Sequence, residues 1–243
     1  NLAASLAATK RRILLIDLDP QGNATMGSGI SKNEIERTAY DLLTKKAGID
    51  DVIVRSEVGK YDVIPANGDL TAAEVELLNE IGREHRLKKA LSSIRDNYEY
   101  ILIDCPPSLN MLTVNALSAS DGVIIPMQCE YYALEGLAAL MNTVDQIKET
   151  INPKLEISGI LRTMYDPRNS LTKDVSEELE DYFGDQVYKV AIPRNVRLAE
   201  APSHGLSVLH YDKSSKGAIA YLALAGEIVR KAKTENKKVL AAV

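Results

Sequence analysis

Residues 13–17 read ILLID and residues 100–104 read YILID, two short apolar runs that each end in an aspartate. A run built so densely from isoleucine and leucine is a strand covered on both faces, because a strand with one wet face would alternate with polar residues. Strands of that kind belong to parallel sheets flanked by helices, whose ligands bind beyond the carboxyl ends of the strands. Asp17 and Asp104 stand at those ends. The first run continues as LDPQGNAT, which places Asp19 in a loop with Pro20 and Gly22.

The rest of the chain alternates in the same manner. Strands are predicted at Arg12 to Asp17, Tyr61 to Pro65, Tyr100 to Asp104, Gly122 to Pro126, Leu155 to Met164, Val187 to Ile192 and Ser207 to Tyr211. Helical periodicity covers Asn1 to Lys10, Thr38 to Lys46, a stretch begun by a Thr71/Glu74 capping box and interrupted by Gly82 on its way to Arg95, Asn110 to Ala119, Ala133 to Thr150, Leu171 to Phe183 and Ser215 to Lys233. Such alternation predicts an α/β fold with a mainly parallel, twisted sheet and helices on both faces.

With 243 residues, 45% of them hydrophobic, the chain suffices for one α/β domain rather than two small ones. Tryptophan is absent and phenylalanine occurs once, so aliphatic side chains build the core. Cys105 and Cys129 are not spaced as a metal knuckle, and no secretory leader is recognisable, which predicts a reducing, cytoplasmic setting. No apolar run approaches the roughly 20 residues of a membrane span, which predicts a soluble protein. The first residue is Asn1, and the alanine-rich opening reads as a helix already under way, so the expectation is an N-terminally incomplete domain.

Two aspartate-tipped strands could present Asp19 and Asp104 to one crevice. In nucleotide hydrolases a strand-end carboxylate commonly holds a magnesium-bound water, since this hard cation keeps most of its waters. The alternative is that each aspartate caps a turn or a helix. Cys105, between Asp104 and Pro106, reads as a buried filler because no base accompanies it.

Taken together, NLAASLA at 1–7, LLIDLDPQGNAT at 14–25, YILIDCPPSL at 100–109, CEYYALEG at 129–136 and PRNVRLAEAPSHG at 193–205 resemble the ParA/Soj family of partition ATPases, relatives of MinD in the deviant Walker A class of P-loop proteins. The resemblance implies ATP and Mg2+ as cofactors. It assigns Asp19 to the first switch and Asp104 to the Walker B carboxylate, both meeting the metal through water, with Asp17 structural. Gly22 and Asn23 would sense the terminal phosphate, while Thr163, Pro193 and Asn195 would lie toward the adenine. The family's KGGVGKTT-type phosphate loop would precede NLAASLA. The expectation is therefore a P-loop fold lacking its first strand and phosphate loop over residues 1–243, binding ATP weakly or not at all and inactive as a hydrolase, where the full-length protein hydrolyses ATP.

The net charge of -5 excludes a protein coated in positive charge but not a local basic face. Residues 186–220 carry five basic side chains against two acidic, whereas residues 171–185 carry one against six. The resemblance assigns nonspecific DNA binding to Arg168 and Arg197; an ordinary solvated rim is the alternative. It further implies an ATP-dependent homodimer on double-stranded DNA, a ParB-type centromere-binding partner that stimulates hydrolysis, and a cytoplasmic, nucleoid-associated location. A MinD-like membrane-positioning ATPase and a non-catalytic DNA-binding scaffold are the competing readings. The alanine- and lysine-rich end, without an aromatic anchor, argues against stable membrane association.

Overall fold

A computed structural model describes residues 1–235 and 239–242. Its strands are β1 (Ile13–Asp17), β2 (Val54–Ser56), β3 (Tyr61–Ile64), β4 (Tyr100–Asp104), β5 (Gly122–Gln128), β6 (Glu156–Thr163) and β7 (Val239–Ala242). They form one seven-stranded sheet in the order β2-β3-β1-β4-β7-β5-β6. Every pairing is parallel except that of the edge strand β2 with β3.

The apolar strands separate two hydrophobic layers, as period-two side-chain alternation requires. Leu14, Ile16, Ile101 and Ile103 face one layer with Leu112 and Leu117 of the helix Met111–Ala119, Val144 of Ala133–Thr150 and Leu179 of Ser170–Phe183. Ile13, Tyr100 and Leu102 face the other, where Leu6 of the helix Leu2–Ala8 meets Leu224 and Ile228 of Lys216–Glu235. Each large aliphatic side chain fully buried in these layers contributes roughly 1.5–3 kcal/mol.

Several predicted elements differ. The helix near residue 71 spans Leu70–Leu77 and follows Asp69, so Thr71 lies inside it and makes no capping box. Glu74 instead accepts a bond from Asn110 Nδ2 at 2.7 Å, tying that helix to the N-cap of Met111–Ala119. A true capping box sits earlier, at Thr38 and Asp41. Residues 207–211 form a short helix, Val208–Tyr211, not a strand.

The segment 187–192 is no strand either; bridges join only Val187 to Ile160 and the following Pro193 to Tyr165. The Tyr188 and Ile192 amides donate to the carbonyls of Ile160 and Arg162 at 2.9 and 2.8 Å, and side chains hold the backbone between them. Buried Arg162 donates to the carbonyls of Tyr188 and Lys189 at 3.0 and 3.3 Å, and buried Glu227 accepts from the amides of Lys189 and Val190 at 2.9 and 3.1 Å. Arg162 is itself paired with Glu180 and donates to Ser176 at 2.6 Å. Two opposite charges therefore satisfy backbone groups that a ladder would otherwise pair.

Candidate functional site

β1 and β4 are neighbours in register, with Asp17 directly beside Asp104. The two carboxylates have opposite surroundings. Asp17 is fully buried and saturated: Oδ1 accepts from the Asp19 amide at 3.1 Å, and Oδ2 accepts from the Thr25 amide at 2.8 Å and the Thr25 hydroxyl at 2.7 Å. Burial nevertheless raises its pKa, outweighing those bonds. The Asp104 side chain accepts no hydrogen bond from the described residues. Burial, followed by the charge of Asp17, pushes it up to about 7.

Asp104 lines a cavity of about 370 Å³ at the carboxyl end of the sheet, which Asn23 and Thr163 also line. Its walls include Leu102, Pro126, Pro202, Leu206 and Tyr221. The structure thus brings Asn23, Asp104 and Thr163 to one space. Asp19, Gly22, Pro193 and Asn195 do not line it.

Asp19 instead begins a turn, with Oδ1 accepting from the Gln21 amide at 2.9 Å and its carbonyl from the Gly22 amide at 2.9 Å. Gly22 has φ 64 and lies so close to Ala66 that a Cβ would stand 2.7 Å from its carbonyl oxygen. Only glycine meets both demands, so this loop is closed against the end of β3. Asn195 Oδ1 accepts from the Arg197 amide at 3.1 Å and caps the helix Val196–Glu200. Pro193 sits in the bridge to Tyr165.

That bridge gathers the basic residues onto one edge. The Arg194 amide donates to the Tyr165 carbonyl at 3.1 Å, and Arg194 lies close enough to Asp166 to lower its pKa further. Arg168, with a highly exposed side chain, grips Asp166 through Nε and Nη2 at 2.9 and 2.7 Å. This pairing holds the Asp166 carboxyl down at about 2. Arg197 is bound to Glu200 at 2.7 Å and approaches Asp212 at 3.4 Å. Arg168 and Arg197 are therefore surface-accessible yet paired within the chain.

Cys105 behaves as a filler. Burial and the adjacent carboxylates of Asp104 and Asp17 push its thiol well up, and burial raises that of Cys129.

Relatives in sequence decide the family. The chain is 54% identical over 228 residues to the sporulation initiation inhibitor protein Soj of Bacillus subtilis, a match covering 94% of this chain and 90% of Soj. It is 49% identical over 240 residues to the chromosome partitioning protein ParA of Caulobacter vibrioides, covering 98% and 90% of the two chains. The chain belongs to the ParA/Soj family of partition ATPases. A family model described as an AAA domain also matches residues 1–157.

Among solved structures, this ParA/Soj chain resembles the cobyrinic acid a,c-diamide synthase of Mycobacterium smegmatis, crystallised with ADP and magnesium. They share 34% identity and a TM-score of 0.83, over 98% of this chain and 89% of that one. The cell division ATPase MinD of Pyrococcus furiosus, at 22% identity and a TM-score of 0.76 over 94% and 90%, shares the fold. The sheet and its flanking helices are thus of the P-loop NTPase type.

In this ParA/Soj chain one carboxylate of the cavity, that of Asp104, fits a hydrated magnesium ion. Asp104 offers an unpartnered oxygen pair in a partly buried position, the donor type a hard cation takes directly or through water. The cavity wall among the described residues contains no lysine or arginine.

Thr25 was not singled out from sequence as a site residue. It lies within the quoted LDPQGNAT words, but its partner Ala66 is 41 residues away, and the contact has no local sequence signature.

Proposed function

We propose that this protein is a DNA-partition ATPase. Loaded with ATP, it pairs with a second copy, binds double-stranded DNA without regard to sequence, and is released when a ParB-type partner stimulates hydrolysis. Magnesium-bound ATP supplies the scissile phosphoanhydride and the metal charge that offsets negative charge in phosphoryl transfer. Asp104 holds the hydrated metal, Asp19 orders the water arrangement on the first loop, and Asn23 with Gly22 senses the terminal phosphate. Thr163, Pro193 and Asn195 form the base side, and Arg168 and Arg197 meet DNA phosphates. The protein works in the cytoplasm on the nucleoid.

The observation that carries this reading is the placement of the aspartate-bearing loops on adjacent strands in a chain 54% identical to Soj. A salt titration of duplex binding by the protein expressed from its complete gene, with and without ATP, tests it. The expected result is affinity that requires ATP and falls steeply with salt. Affinity indifferent to ATP would overturn the reading.

The membrane-positioning alternative has less support. In the helix Lys216–Glu235, Leu224, Ala225 and Ile228 are spent on the core, and among the described residues no helix is long and apolar enough to cross a membrane. Sedimentation with anionic liposomes is expected to leave the protein in the supernatant.

A further inference from the structure

We infer that Thr25 is a positioning residue for Asp19, an inference that rests on the role proposed for Asp19 in hydrolysis. The short helix Asn23–Gly27 begins at Gly22, which has no side chain to cap it. The amide of Thr25, in the first turn, is left for another acceptor. Asp17, eight residues back on β1, provides that acceptor through Oδ2 while its Oδ1 takes the Asp19 amide. Both ends of the loop 19–25 are thus tied to one buried carboxylate.

The Thr25 hydroxyl completes the fastening. It donates to Asp17 Oδ2 at 2.7 Å and accepts from the Ala66 amide at 2.9 Å. One buried oxygen therefore joins the end of β1, the loop, and the residue that follows Pro65 after β3. The same Ala66 carbonyl blocks any side chain at Gly22. Asp19 is itself the first of these fixed points, and its backbone cannot shift without breaking its bond to Asp17. Valine at position 25 would keep the shape and the amide bond but lose the donor to Asp17 and the acceptor for Ala66. Serine would keep both.

Thr25 touches neither the cavity nor a reacting group, so its effect should pass through Asp19. The test is steady-state ATP hydrolysis, in the presence of DNA, by the protein expressed from its complete gene. Thr25→Val is expected to lower kcat by about tenfold or more with KM for ATP little changed, and Thr25→Ser to restore the rate. Asp17→Asn, which removes a buried charge and keeps a single acceptor oxygen, is expected to lower kcat in the same way and serves if Thr25→Val does not fold.

A wild-type kcat in Thr25→Val, or in Asp17→Asn, would overturn the inference, as would a Thr25→Ser protein no better than Thr25→Val. Asp19→Asn separates the two levels. An active Asp19→Asn protein overturns the reading of Asp19 itself, whereas an inactive one beside a fully active Thr25→Val overturns only the positioning role.

Discussion

Gly29 and Gly205 meet backbone against backbone, both at positive φ. A Cβ on Gly29 would stand 3.0 Å from the Gly205 carbonyl oxygen, and one on Gly205 would stand 3.3 Å from the Gly29 Cα. Gly29 ends the stretch that begins with Asp19, and Gly205 ends the stretch that begins with Arg197. The loop that carries Asp19 and the segment that follows Arg197 thus lean on each other with no side chain between them.

Gly205→Ala is expected to destabilise the fold by about 1–2 kcal/mol through left-handed strain and to weaken the dependence of DNA binding on ATP. Gly82→Ala is the matched control, because Gly82 shares the left-handed conformation at φ 66 and ψ 31 while its Cβ position meets only the flexible end of Lys89. Thermal melts and DNA titrations with and without ATP distinguish them. Equal ATP dependence in the two variants would show that the contact transmits nothing.

In the proposed role of Arg168 on DNA phosphates, its pairing with Asp166 would compete for the same guanidinium. Asp166→Asn is expected to raise duplex affinity a few-fold at low salt. Arg168→Ala is expected to lower it and reduce the slope of log affinity against log salt by about one. Dimerisation should survive in both. Fluorescence anisotropy over a salt series reads all three, and an unchanged slope in Arg168→Ala would remove this residue from the DNA face.

Asp104 gives a pH signature without metal. Its folded pKa, about 7, lies above the ordinary carboxylate value, so the folded chain binds its proton more tightly than the unfolded chain does. The associated stability is full below about pH 4 and is lost as pH rises toward 7, a total on the order of a few kcal/mol. With a chelator present, Asp104→Asn should therefore match wild type in Tm near pH 4 and exceed it increasingly up to pH 7.5. Magnesium ions should narrow that gap. A difference constant with pH would contradict the assignment.

Glu227→Ala leaves the part-buried Lys189 and Val190 amides without their acceptor. A loss of about 2–4 kcal/mol is expected, with faster hydrogen exchange through residues 187–195 and little change in β4. Exchange that quickens uniformly across the sheet would mean that the carboxylate supports the whole fold rather than this segment.

How far these features were legible depended on how local their causes are. β1 and β4 announce themselves because every buried residue in ILLID and YILID lies in one uninterrupted run. β7 does not, since four residues reading VLAA beside an alanine- and lysine-rich helix carry no period of their own, and only a place between β4 and β5 makes them a strand. Val187 to Ile192 has the composition of a strand, but between its backbone bonds to Ile160 and Arg162 the chain is held by the side chains of Arg162 and Glu227, far apart in sequence. At the site, the aspartates could be read as strand-end carboxylates. The division of labour between saturated Asp17 and unpartnered Asp104 depends on contacts from Thr25 that strand patterning does not reveal.

The proton-holding thiols of part-buried Cys105 and buried Cys129 react with maleimide dyes far more slowly at neutral pH than an exposed thiol does. A single cysteine introduced at exposed Gln21, between Asp19 and Gly22, would then carry the only reporter. The first loop could be watched by fluorescence as nucleotide comes and goes, in a protein that needs no prior removal of its own cysteines.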